Sequence, residues 1–354
     1  MAAAGDREAV EAYLQAREAY ESAAQAYWQS IVDKRRIRFA KRRSGESIAL
    51  SDYVLAQPPV YTGPPRPPGI ALPRPEPVEP PPPIPRITDF LMAAAAQYGF
   101  VPERPKSDTE FKQIYAKVAA TAGLTREQAV GVYAFETGGN GAYDTQAGVI
   151  ASRPKTRPIS PAIGYNQLLS TNSVSLMAEH GDKFIATLNA AAGRRTGSAR
   201  KTMERKLAAL RQMVAFSRSV PNSWSAHDKL AKTTPGGMGI HAAVLDRDIG
   251  PLLQTQKLLD SVLFARMKGY NRPLTAAELE LMNFTGDGNG FDMVTMPQAV
   301  RERVPTANFF QRRGYERNPI ARRTGTVARL VAAIESKMDG ASKAQGARDL
   351  AAAF

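Results

Sequence analysis

The sequence of 354 residues contains no cysteine and only three histidines, His180, His227 and His241. The absence of cysteine excludes disulfides, thiolate metal sites and cysteine nucleophiles. No two histidines stand four positions apart, as they do in helical zinc motifs, so we expect no metal site and no histidine-based triad. The sequence also lacks an apolar run of the roughly 20 residues that a membrane-spanning helix needs. We therefore expect no membrane span, and no motif indicates a cofactor.

Basic residues outnumber acidic residues by 47 to 33, which gives a net charge of +14. The charge is concentrated in three clusters, residues 34–43, 194–211 and 301–323. A field of this sign attracts polyanions such as nucleic acid, anionic membrane surfaces or cell-wall polymers. No RNA-binding or helix-turn-helix motif accompanies the clusters, which argues against a nucleic-acid partner. The alternative interpretation of each cluster is a solvated helix face.

The N-terminal part is predicted to be an arm, residues 1–56, built on one long helix over residues 6–43. Tyr13, Tyr20 and Tyr27 are seven positions apart and therefore lie on one stripe of that helix. An aromatic stripe has to be covered, either by the rest of the chain or by a protein partner.

A proline-rich stretch follows the arm, since 14 of the 26 prolines lie between Pro58 and Pro85. Such a sequence favours extended polyproline II structure, so we interpret residues 57–86 as a semi-rigid linker. From residue 87 onward the apolar spacing is mostly helical. Thr125 and Gln128 form a helix-capping sequence, and residues 140–161 are the obvious place for a small sheet or long loop. The predicted class is predominantly α.

Glu136 ends the apolar run Val132-Tyr133-Ala134-Phe135. A carboxyl group in apolar surroundings resists ionisation, which raises its pKa into the range of a general acid. The alternative is a glutamate on a solvated helix end.

Two further motifs follow Glu136 in order. Ile163-Gly164-Tyr165-Asn166-Gln167 begins 27 residues later, and Met282-Asn283-Phe284-Thr285-Gly286 comes near the end. With these motifs the sequence resembles the lytic transglycosylase catalytic domain of the lysozyme-like superfamily. Glu136 matches the family's glutamate, and Gly164 and Gln167 match its Gly-x-x-Gln motif, with Ser170 and Thr171 near its Pro-x-Thr. Asn283 and Gly286 match the Asn-x-Gly end of its Tyr-Asn-x-Gly segment, read with one extra residue.

The resemblance implies an α+β lysozyme-like fold over residues 87–340. It also implies an inserted basic segment at about residues 181–249, and residues 341–354 are left as a tail. It implies a single-glutamate lyase: Glu136 protonates the MurNAc–GlcNAc glycosidic oxygen of peptidoglycan and then acts as a base to form a 1,6-anhydro end. The sequence departs from the family at Thr137, Asn166 and Met282, where the family has serine, methionine and tyrosine.

The remaining candidates are neighbours of these motifs. The amides of Gln167 and Asn283 suit sugar hydroxyl and N-acetyl groups, and they could also hold Glu136. Tyr165 and Phe284 are either sugar platforms or core residues. Asp144 is the nearby candidate for a second carboxylate, which would indicate a lysozyme-like hydrolase.

A catalytically inactive structural protein of a virion or secretion apparatus is the further alternative. No secretory signal is visible at the start of the sequence, because a basic segment followed by an apolar core is missing. With the resemblance, the expected location is periplasmic, extracellular or virion-associated.

Overall fold

The structure is a computed structural model that describes residues 2–68, 83–150, 153 and 156–354. Helices dominate these residues, and the only extended pairings among them are isolated β-bridges. This confirms the predominantly α class. None of the helices in the described part of the chain is both long and apolar enough to cross a membrane.

In chain order the α-helices are α1 (Ala2–Ser44), α2 (Ile87–Tyr98), α3 (Asp108–Ala122), α4 (Arg126–Thr137), α5 (Ser170–Gly193), α6 (Gly197–Ser217), α7 (Trp224–Thr233), α8 (Pro235–His241), α9 (Gly250–Met267), α10 (Ala276–Thr285), α11 (Asp287–Thr295), α12 (Gln298–Arg301), α13 (Arg312–Arg317), α14 (Pro319–Thr324), α15 (Val327–Ala341) and α16 (Gln345–Ala352). Short 3-10 turns lie at Leu50–Asp52, Ala242–Leu245 and Thr306–Phe309.

The chain divides into two compact units. The first combines the described residues of Met1–Pro82 with Phe284–Ala333, and the second combines Pro83–Asn283 with Ile334–Phe354. This division differs from the predicted arm, linker and catalytic domain. The difference arises because Phe284–Ala333, which the prediction assigned to the catalytic domain, packs with the N-terminal helix.

In the first unit, α1 confirms the predicted long helix, and its aromatic stripe is covered within the unit. The ring of Tyr61 lies 6.3 Å from that of Tyr13 and 5.7 Å from that of Tyr20, both edge-on. The ring centroids of Trp28 and Tyr315 lie 5.6 Å apart. Tyr315 belongs to a buried cluster of this unit with Ala307 and Ala321. Aromatic pairs at these distances add to the stabilisation that burial alone provides.

The beginning of the predicted linker also packs in the first unit. Tyr61 covers the aromatic stripe, and the Gln57 amide donates a hydrogen bond to the Gly325 carbonyl at 3.1 Å. These residues therefore do not act as a free spacer. Residues 69–82, the central part of the predicted linker, lie outside the described residues.

Part of the first basic cluster is buried rather than solvated. The Arg38 side chain is 0% exposed and donates to the carbonyls of Asp52 and Asn308, each at 3.0 Å. Its Nε lies 3.5 Å from a carboxylate oxygen of Asp292, which also pairs with Arg42. Asp292 lies on α11.

In the second unit, α5 packs along α6, α2 against α8, and α3 against α9. Helix α9 has buried apolar side chains on several faces, including Leu253, Leu258 and Val262. A helix that is apolar around its circumference belongs in a core.

The second basic cluster is split between surface and interior. Lys206 is buried on α6, and its ammonium group lies within 3.3 Å of Glu103 and 3.0 Å of Asp246. Arg200, Lys201 and Arg205 on the same helix are exposed. The exposed members alone can attract a polyanion.

The connection between α4 and α5 contains the β-bridges of the second unit. Ile163 pairs antiparallel with Gln146 on one side and with Leu168 on the other. The predicted loop or small sheet at residues 140–161 is therefore correctly placed, although the pairing extends to Leu168.

Candidate active site

Helix α4 positions Glu136, and both of its ends are fixed by the sequence. The Thr125 hydroxyl accepts a hydrogen bond from the Gln128 amide at 3.2 Å, and the Gln128 side chain accepts one from the Thr125 amide at 3.0 Å. This is the predicted capping box. At the other end Gly138 has φ +67°, the left-handed conformation that glycine adopts without strain. Glu136 therefore lies on the last turn.

Close packing aligns α4 with the segment that leads into α10. The side-chain amide of Gln128 donates a hydrogen bond to the Leu274 carbonyl at 2.8 Å. One turn further along α4, a Cβ at Gly131 would lie 2.5 Å from the Cβ of Ala276, a distance that only glycine permits. These contacts bring the end of α4 close to the polar residues of α10.

The structure places Asn283 beside Glu136, although 147 residues separate them in sequence. The Asn283 Nδ2 donates to the Glu136 Oε1 at 3.0 Å. The same nitrogen lies 3.5 Å from the Oε2 of Glu280, which is one helical turn earlier on α10. Asn283 thus contacts two carboxyl groups.

Glu280 is the site residue that the sequence analysis missed. Its side chain is 0% exposed, and its Oε2 lies 3.5 Å from the Asn283 nitrogen that also contacts Glu136. Its Oε1 is buried without a hydrogen-bond partner in the described residues. The available signal was a glutamate three positions before Asn283 in a mostly apolar helix, a spacing that puts both on one face.

The two carboxyl groups titrate abnormally because they are buried together. Burial raises the pKa of Glu136 to about 7, while Lys337, Lys257 and the hydrogen bonds from Glu280 and Asn283 act in the opposite direction. Complete burial, with the adjacent Glu136 charge, holds the pKa of Glu280 well above its usual range. Desolvation therefore disfavours ionisation of both carboxyl groups, and a pKa of about 7 puts Glu136 in the range that general acid–base catalysis requires.

The side chain of Gln167 stabilises the turn formed by residues 164–167. Gln167 has φ +42°, and its amide donates to the carbonyls of Gly164 at 2.8 Å and Thr145 at 3.1 Å. Gly164 has φ +87°, and a Cβ there would lie 2.0 Å from the Nε2 of Gln254. Within the residues described, no hydrogen bond joins Gln167 to Glu136. Gln167 therefore shapes the loop that follows α4.

Tyr165 belongs to the core, which corrects the suggestion that it is a sugar platform. Its side chain is 0% exposed, and its hydroxyl donates to the Asp108 carboxylate at 2.9 Å. Its ring packs edge-on against Phe111 and Tyr133 at 5.2 and 4.8 Å. No face of the ring is available to a ligand.

The other two candidates have different neighbours. Asp144 pairs with Arg104 at 3.3 Å, so the carboxylate that lies beside Glu136 is Glu280 and not Asp144. Phe284 belongs to the first unit, where its ring lies 5.8 Å from that of Phe310.

A second group of potential ligands lies on α5 and α9. Single ligand atoms of Glu179, His180 and Asp260 come within 4.8 Å of one another. His180 Nε2 is 3.0 Å from an Asp260 oxygen, and all three side chains are at least partly exposed. An ordinary surface hydrogen bond between His180 and Asp260 accounts for this arrangement.

Comparison with known proteins finds no matching family model, no similar curated protein and no similar solved structure. Function has to be inferred from the residues of the site.

Proposed function

We propose that this protein is a lytic transglycosylase that cleaves the MurNAc–GlcNAc bond of peptidoglycan with Glu136 as its general acid and base. The observation that carries the proposal is the environment of Glu136. Glu136 lies on the last turn of α4, has a pKa of about 7 and accepts a hydrogen bond from Asn283. Glu136 and Asn283 are the two residues that match the family's glutamate and asparagine. A lysozyme-like α+β fold of the second unit is part of this proposal.

In the proposed reaction, protonated Glu136 donates its proton to the glycosidic oxygen, and the leaving sugar departs. The acetamido group of the substrate stabilises the positive centre. Glu136, now a carboxylate, removes the proton of the muramyl 6-hydroxyl, and that oxygen closes the 1,6-anhydro ring. The proton lost in the first step is regained in the second, so no water is consumed.

The carboxyl geometry favours a lyase over a hydrolase. Two-carboxylate glycosidases keep their groups about 5–5.5 Å apart when retaining and about 6.5–9.5 Å apart when inverting. The Nδ2 of Asn283 lies 3.0 Å from an oxygen of Glu136 and 3.5 Å from an oxygen of Glu280. Because Glu280 is 0% exposed, it cannot reach a sugar carbon or activate a water as a second catalytic carboxylate. Asp144, the hydrolytic candidate, is paired with Arg104.

A non-catalytic wall-binding or assembly protein is the second candidate. Two substitutions at the family motifs favour it. Met282 is completely buried where the family has a tyrosine, and the Thr137 hydroxyl is bonded to the Tyr133 carbonyl at 2.7 Å. Neither side chain is free to contact a substrate.

The proposed ligand is the peptidoglycan glycan strand, whose peptide carboxylates complement the basic charge of the protein. The proposed location is the periplasm, the cell exterior or a virion. Nucleic acid stays outside the proposal.

Activity on purified sacculi tests the proposal directly. The wild type should clear sacculi, and Glu136→Gln should abolish clearing. Glu127→Gln is the matched control, because Glu127 lies on the same helix and its side chain is 68% exposed. Clearing by Glu136→Gln, or loss of clearing in the Glu127 control, would contradict the assigned role. A folded wild type that binds sacculi without clearing them would support the non-catalytic alternative.

A further inference from the structure

The proposed mechanism uses one carboxyl group, yet a second is buried against it. Glu280 is 0% exposed, whereas the Glu136 side chain is only partly buried. One Glu280 oxygen has no hydrogen-bond partner among the residues described. An ionised carboxylate in that position would have a desolvated and unpaired oxygen, which is a costly arrangement.

The charged groups around the pair come from four helices. Glu136 faces Glu280 from α4, and Lys337 lies nearby on α15. Lys257 on α9 acts on Glu136, and Asn283 shares α10 with Glu280. Lys337 is exposed and lies over the Phe135 ring at 3.7 Å. No cation therefore forms an ion pair with Glu280 in the described part of the chain.

We propose that Glu280 is a positioning residue that remains protonated and donates its hydroxyl hydrogen to the carboxylate of Glu136. The inference rests on the proposed function, since it assigns Glu280 a task in the same reaction. Asn283 supplies a second donor to Glu136 at 3.0 Å. The two donors together fix the orientation of the Glu136 carboxylate and stabilise its ionised form.

The protons balance through the cycle. Before the reaction the pair holds two protons, one on each glutamate. Glu136 transfers its proton to the glycosidic oxygen, and the resulting anion is stabilised by the hydroxyl of Glu280. Glu136 then takes the proton of the muramyl 6-hydroxyl, and the pair again holds two. The proton of Glu280 stays in place throughout.

Two substitutions of Glu280 distinguish whether it acts on Glu136 as a neutral hydrogen-bond donor or as a charged group. Glu280→Gln keeps a side chain of the same shape with an N–H donor, and Glu280→Met fills the same space without a donor. A hydrogen bond to a charged group corresponds to about one to two pH units. Glu280→Met should therefore shift the basic limb of the kcat/KM profile upward by about one unit or more. Glu280→Gln should keep that limb within a few tenths of a unit.

An infrared measurement tests the protonated state without substrate. Because the pKa of Glu136 is about 7, this residue is mostly ionised at pH 8. The carbonyl stretch of a protonated carboxylic acid that differs between the wild type and Glu280→Gln is therefore assigned to Glu280. The band should be present in the wild type and in Glu136→Gln, and absent in Glu280→Gln. If the protein proved inactive on sacculi, this result would still decide the state of Glu280.

The outcomes are distinct. This band pattern, with a shift in Glu280→Met that Glu280→Gln restores, would support the inference. Equal shifts in both variants would show that Glu280 acts as a charge and would overturn it. A protonated-carboxyl band that is unchanged in Glu280→Gln would also overturn it. If Glu280→Met does not fold, as judged by circular dichroism, the infrared comparison of the other variants decides.

Discussion

The raised pKa of Glu136 predicts that this residue destabilises the fold above neutral pH. Its folded-state pKa is about 7 against 4.5 in the unfolded chain. A carboxyl group with a raised pKa contributes fully to stability below pH 4.5, and that contribution is lost as the pH rises through 7. The rise from 4.5 to about 7 corresponds to about 3 kcal/mol in the free energy of unfolding at pH 8.

Glu136→Gln removes this penalty, because the amide is neutral at every pH and can still accept the hydrogen bond from Asn283. The variant should therefore be more stable than the wild type at pH 8, by up to about 3 kcal/mol, and about equally stable at pH 4.5. Urea unfolding followed by circular dichroism at both pH values measures the difference. Glu127→Gln, on the exposed first turn of α4, should bring no gain at pH 8.

A pH-independent effect of Glu136→Gln would refute this reasoning, because it would mean that the carboxyl group titrates normally in the folded protein. Lower stability of the variant at pH 8 would refute it more strongly. That result would require the ionised carboxylate to be favourably paired in the fold.

Three further predictions concern other parts of the molecule. Asn283→Ala should reduce kcat/KM about tenfold or more and raise the kinetic pKa of Glu136, since a donor to its carboxylate is lost. An unchanged pH profile would contradict that contact. Arg38→Met should lower the free energy of unfolding by about 3–5 kcal/mol, measured by urea unfolding, because Asp292 and two carbonyls lose a buried partner. A loss below about 1 kcal/mol would contradict the burial of the cation. Reversing Arg200, Lys201 and Arg205 to glutamate should weaken sacculus binding in pull-down assays at low salt and have little effect at high salt. Equal weakening at both salt concentrations would exclude an electrostatic role.

Local patterns in the sequence predicted the helices well. The capping pair Thr125 and Gln128 marks the start of α4, because this signal depends on the backbone of a few adjacent residues. The long helix α1 follows from its apolar spacing in the same way. These features needed no information about distant parts of the chain.

The packing within the first unit could not be predicted from such patterns. The aromatic stripe of α1 indicated that it would be covered, but its covering residues Tyr61 and Tyr315 lie far apart in sequence. A proline-rich composition indicated a spacer, yet its first residues pack against that stripe. Composition reports the preferred backbone conformation and not the surface on which a segment lies.

Only the residues of the site that belong to a sequence motif were predicted. A family motif pointed to Glu136 and Asn283 independently, and the fold joins them. Glu280 belongs to no such motif, and its importance comes from burial beside Glu136, which only the packing of α4 on α10 reveals. The role of Tyr165 was ambiguous because an aromatic ring beside a motif can either pack in the core or bind a sugar.

The central claim is that Glu136 cleaves glycan strands without consuming water. It is tested most directly by mass spectrometry of the products released from sacculi in water enriched in oxygen-18. The wild type should release 1,6-anhydro-muramyl products without the heavy isotope, and Glu136→Gln should release none. Reducing ends that carry one oxygen-18 atom would show hydrolysis, and release by the Glu136→Gln variant would show that another residue performs the chemistry.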